Sequence, residues 1–131
     1  METWQINLSL IPSIAVILTS ANRTVLGLTD EINVRILANP EAYSKVLPLK
    51  ITQLKRLSVA VFLMYLSLVC LILNALLVGV NVITPKNDKV LIFLAVIIFF
   101  VAVFYMLLFS WNAYFIRQKQ FKVFLEKLSE N

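Results

Sequence analysis

Histidine is missing from the 131 residues, and the chain has one cysteine, two glycines and four prolines. Lacking histidine, it has neither the commonest general base nor the commonest metal ligand. The single Cys70 cannot form an internal disulfide. It has no basic neighbour in sequence, so it reads as a packing residue rather than a nucleophile. With so little glycine and proline to punctuate it, the chain should form few and long elements. Acidic residues are also scarce, 7 against 12 lysines and arginines. None falls within residues 57–83 or 90–116, which carry no charge at all. No catalytic triad, metal cluster or carboxylate pair can be assembled there. Asp30 and Glu31 are adjacent, so on a helix they point about 100° apart rather than converging. Phosphate-cradling glycines are absent as well. A non-enzymatic protein with no cofactor and no metal is expected.

What the chain does have is apolar length. It is 60% hydrophobic, with a mean hydropathy of +0.87, too apolar for a soluble domain of this size. Three segments, 6–28, 57–83 and 90–116, reach the roughly 20 residues that a membrane span needs. The expected fold is therefore all-α: one integral membrane domain over 1–131 with three transmembrane helices. Residues 29–56 and 117–129 should extend them into the cytoplasm as a short helical bundle. Trp4 at the start of the first span, and Trp111 with Tyr114 near the end of the third, sit where aromatic belts belong. The N-terminus lacks the basic residues of a signal peptide, so the first span reads as retained.

Basic residues set the orientation. Arg23, Arg35, Lys45, Lys50, Lys55 and Arg56 lie in or beside the first connection, and Arg117, Lys119, Lys122 and Lys127 follow the third span. Only Lys86 and Lys89 lie between spans two and three. The positive-inside bias puts the N-terminus outside and the first connection and C-terminus in the cytoplasm.

Within the connections, Glu31 and Arg35 are spaced for an i,i+4 pair. Asn39-Pro40 reads as a helix restart, with Asn39 as N-cap, and Pro48 as a second break or kink. Residues 81–88 read as a tight outer turn. Phe121, Phe124, Leu125 and Leu128 form an apolar stripe at helical spacing.

The first span is the unusual one. On a helical wheel, Ser9, Pro12, Ser13, Val16, Ser20, Arg23, Thr24 and Gly27 fall on one side. Leu8, Leu10, Ile14, Ala15, Leu18 and Val25 fall on the other, with Asn22 as the polar exception. Polar and small residues that share a face in a bilayer normally turn toward other helices or toward water. Pro12 frees the carbonyl of Leu8, which Ser13 or a neighbouring helix can satisfy.

Ser13-Ile14-Ala15 and Ala21-Asn22-Arg23 in the first span, then a basic connection, an apolar hairpin and an exit helix containing Ser110, resemble the domain-of-unknown-function family 2721. That family comprises small bacterial three-helix membrane proteins. The resemblance implies this fold and a bacterial inner membrane, and brings no biochemical activity with it. Where the family carries an acidic residue shortly after the exit-helix serine, this chain has Asn112 and Ala113.

Packing chemistry remains. Ala60, Ser67, Asn74 and Asn81 recur every seven residues in span two, and Ala95, Ala102, Phe109 and Ala113 share a face in span three, with Tyr105 and Asn112 alongside. Small residues let helices approach, and Ser or Asn can hydrogen-bond across the contact. One reading is a compact three-helix unit with its polar stripes turned inward. A sharper one counts three stripes against one thin interior and leaves a stripe for other copies, a homo-oligomer held chiefly by Ala95 and Ala102 or by Ser67 and Asn74. Its first helix would line a channel-like pore through Ser9, Ser13, Val16, Ser20, Arg23 and Gly27, with Val16 as an apolar constriction. The alternative is an accessory or scaffold subunit packed on a larger membrane complex. The expected partners are the lipid bilayer, further copies and anionic lipid at the basic inner ends. Nucleic acid is not expected, because the isoelectric point of 9.6 follows from the charges that set topology.

Overall fold

The computed structural model describes residues 3–38, 40, 41, 43–80 and 85–129. Helix α1, Thr3–Glu31, runs unbroken through Pro12 and passes into one π turn, Ile32–Ile36, closed by the Leu37 N–H donating to the Ile32 carbonyl at 3.0 Å. Helix α2 spans Leu47–Gly79 and α3 spans Pro85–Ser129. All three are long and apolar enough to cross a membrane, the most apolar 18-residue stretch of each having a mean hydropathy of 1.3, 2.6 and 3.2 in chain order.

Several local expectations are corrected. The chain does not restart as a helix at Pro40. Pro40 and Glu41 lie exposed in turns, and Asn39 lies outside the described residues. The restart comes at Leu47, with Pro48 in the first turn, where a missing N–H costs no helical bond. Buried Val46 anchors the chain there, and Pro40 has no such anchor. Burial rather than a capping signal decides where so short a connection turns helical. Of the expected outer turn, Asn81–Thr84 lie outside the described residues, whereas Pro85 already opens α3. Its fixed φ suits the first helical position. Ser13 does not reach the carbonyl freed by Pro12; its Oγ donates to the Ser9 carbonyl at 3.3 Å.

Helix α2 lies between the other two, packing along both, while α1 and α3 touch only sparsely. Its buried face, Val61 apart, is a heptad seam. Lys50, Gln53, Leu57, Ala60, Met64, Ser67, Leu71 and Asn74 follow one another in alternating steps of three and four. One column of that seam is long (Lys50, Leu57, Met64, Leu71) and the other small or polar (Gln53, Ala60, Ser67, Asn74). This 3.5-residue period keeps a seam against a partner helix over many turns. Helix α3 answers with Ala95, Ala102, Phe109 and Ile116, again seven apart; all are buried except half-buried Phe109. Ile116, not Ala113, continues the column. Ser67 Oγ donates to the Ala95 carbonyl at 2.8 Å, tying α2 to α3.

The core comes in three tiers. Ile14, Leu71 and Ala95 form one; Leu18, Ala21, Val61, Met64 and Ala102 form the next. Leu28, Ile32 and Ile36 form the last, under Tyr43, Leu47, Leu54 and Phe109. Ala21, Ala95 and Ala102 are fully buried in these tiers, small residues of the kind that let helix backbones approach. Beyond Gln120 the bundle is not closed. Phe121, Phe124, Leu125 and Leu128 are all exposed, because α1 has ended in its π turn before them.

Candidate functional site

Helix α1 presents two opposite seams. The inner one runs through Ile11, Ile14, Leu18, Ala21, Val25, Leu28 and Ile32, buried or half-buried against α2 and α3. The outer one is Ser9, Ser13, Val16, Ser20, Arg23 and Gly27, also in alternating steps of four and three, and every member is exposed. Val16 is 70% exposed, and nothing lies within 4 Å of a Cβ built on Gly27. The apolar side of this helix thus faces its own bundle and the polar side faces away from it.

The polar groups of that outer side are handled locally. Ser9 Oγ donates to the Ile6 carbonyl at 2.8 Å, Ser13 Oγ to that of Ser9, and Thr24 Oγ1 to that of Ser20 at 3.1 Å. These three hydroxyl donors are spent on their own helix, and their oxygens keep acceptor capacity. Arg23 has no ion pair among the described residues. Asn22, the polar exception on the apolar side, is accounted for by α2: its Nδ2 donates to Tyr65 Oη at 2.8 Å.

Of the small-residue positions read as packing sites, Ala60, Ser67, Asn74, Ala95 and Ala102 are fully buried inside the protomer, and Ala113 is half-buried. Asn81 lies outside the described residues. The expectation that Ala95 and Ala102, or Ser67 and Asn74, hold copies together is therefore corrected: the α2–α3 hairpin consumes these faces. Asn74 is buried with neither amide atom hydrogen-bonded among the described residues. Cys70 is a half-buried free thiol beside the tier of Leu71 and Ala95.

The end of the bundle where α1 stops holds a polar network that the sequence reading missed. Lys50 Nζ donates to Glu31 Oε2 at 3.0 Å, and Gln120 Nε2 donates to Glu31 Oε1 at 3.3 Å. One carboxylate thereby joins all three helices where α1 gives way to the π turn. The expected Glu31–Arg35 pair does not form. Lys50, held at the head of the α2 seam, reaches Glu31 from the buried side, and Arg35 stays exposed. Beside the network lies a cleft of about 270 Å³, walled by Arg35, Tyr43, Arg117, Phe121 and Phe124. A second cleft, about 290 Å³, opens between α2 and α3 around Gln53, Arg56, Asn112 and Lys119.

Comparison with known proteins gave no matching family model, no matching curated protein and no matching solved structure.

Proposed function

We propose that this chain is a non-enzymatic, homo-oligomeric membrane protein whose copies meet along the outer seam of α1, which lines a channel-like path. The observation that carries this reading is the second seam itself. A helix that has already buried one heptad stripe displays another on its opposite side, small and polar where a lipid-facing surface would be bulky and apolar. The resemblance to the bacterial three-helix family supports an inner-membrane location, and the basic residues support an N-terminus outside and a C-terminus in the cytoplasm.

In a closed ring, the usual form of a homo-oligomer, Ser9, Ser13 and Ser20 supply acceptor oxygens toward the axis. Val16 supplies an apolar constriction that gates by dewetting, and Arg23 sets positive charge at the inner mouth. Recording from reconstituted bilayers tests this. Val16→Ser should raise conductance, Ser20→Leu should lower it, and Arg23→Glu should shift preference from anions toward cations. An assembled oligomer that passes no ions at any voltage or pH would overturn the pore.

A second reading, an accessory subunit docked on a larger complex, has one observation in its favour. The last turns of α3 expose an apolar stripe, Phe121, Phe124, Leu125 and Leu128, that the protomer leaves uncovered. A single copy bound to an unrelated protein in native extracts would favour it.

A further inference from the structure

We infer that the cleft between the start of α2 and the end of α3 binds the headgroup phosphate of an anionic phospholipid. The inference rests on the membrane placement proposed above and not on self-association. Four groups converge there: Arg56 and Gln53 from α2, Asn112 and Lys119 from α3. No carboxylate lines the cleft among the described residues, and neither Arg56 nor Lys119 is in an ion pair. Gln53 is the independent sign. It is only 4% exposed, it forms part of the cleft wall, and its Nε2 has no hydrogen-bond partner among the described residues. A buried amide donor left unpaired is uncommon, since the desolvation it suffers is normally offset by an acceptor. An anion held in the cleft is the acceptor this donor lacks.

The chemistry of the occupant follows from the walls. Two cations and two amides recognise an anion with several acceptor oxygens, as a phosphodiester has. The site is also amphiphilic. Phe115, on the cleft wall, is shared with a shallow depression of about 400 Å³ that runs along Leu107, Trp111 and Tyr114 toward the middle of α3. Trp111 and Tyr114 pack edge-on against Phe115, at 6.1 and 5.6 Å between ring centres, which stiffens that wall. The cationic end lies toward the cytoplasmic side and the apolar track toward the bilayer core, the polarity of an inner-leaflet lipid. Basic pockets between helices on this side suit anionic headgroups.

Native mass spectrometry of the full chain, given phosphatidylglycerol or phosphatidylcholine in a mild detergent, tests the assignment. Phosphatidylglycerol should be retained about tenfold more strongly, given a favourable contribution from each of two cations. Arg56→Gln with Lys119→Gln should abolish that preference, and Lys45→Gln with Lys122→Gln, an equal loss of charge elsewhere, should keep it. Gln53→Met should weaken retention without lowering the melting temperature, which keeps the test decisive where the double variant folds poorly. Excess inorganic phosphate should not displace the lipid. Equal retention of the two lipids would overturn the assignment. So would an equal loss in both double variants, unchanged binding by Gln53→Met, or displacement by free phosphate.

Discussion

Lys50 shows how position changes the meaning of a residue. In the sequence it counts as one of several charges that orient the protein. In the fold it heads the long column of the α2 seam, its side chain 8% exposed and paired with a carboxylate that is 29% exposed. The pair is asymmetric, so its two halves should respond differently. Glu31→Gln leaves a buried ammonium without a counter-charge and should cost roughly 2–3 kcal/mol, below the 3–5 of a dry pair because Glu31 still meets water. Lys50→Met fits the seam, leaves Glu31 with Gln120 and solvent, and should cost under about 1 kcal/mol. Unfolding titrations in detergent compare the two, and equal losses would contradict the asymmetry. Asn74 is a simpler case. Its amide is buried with no partner among the described residues, so near-isosteric Asn74→Leu should raise stability by about 1–3 kcal/mol. A lower melting temperature would show that the amide has a partner in the membrane. Lys50 was legible in principle, because stepping seven residues back from Leu57 lands on it. The eye stops at a charge when it follows an apolar repeat.

At the scale of elements, the seven-residue spacing of Ala60, Ser67 and Asn74 and the wheel of the first helix were both legible, the first being one column of the α2 seam and the second the whole outer seam of α1. The other α2 column, Leu57, Met64 and Leu71, and Ile116, which ends the α3 column, are bulky residues that do not stand out in a uniformly apolar span. Which side of α1 faces the bundle was not legible. A polar stripe can turn inward or outward, and only the fit of Ile14, Leu18 and Ala21 against α2 and α3 decides it. The prolines are instructive in the same way. Pro40 carries the stronger local restart signal, yet the helix restarts beside Pro48, next to buried Val46.

Gly27 tests the outer seam directly. Glycine within a helix is less stable than alanine by about 0.5–1 kcal/mol, and no atom of the protomer crowds this one. Gly27→Ala should therefore stabilise the separated protomer and weaken the assembly, where a neighbouring helix needs the space. Melting curves above and below the association threshold separate the two effects. An assembly as stable as the unaltered one would remove Gly27 from the contact.

For the whole molecule, orientation comes first. With Cys70 replaced by alanine, single cysteines at Lys45 and Gln118 should label only from the cytoplasmic side and one at Asn87 only from outside. The reverse pattern would invert the molecule and with it the placement of the lipid cleft. Self-association is the claim on which the pore depends. Within the protomer, α2 is shared by both neighbours and the outer side of α1 meets nothing, so the surface offered to other copies is narrow and continuous. The most direct measurement is the native mass of the purified chain in a mild membrane mimic, alongside Gly27→Leu. The expected result is one discrete ring of identical copies, reduced to smaller species by the leucine. A monomer under every detergent and lipid condition, or a ring that Gly27→Leu leaves intact, would contradict it.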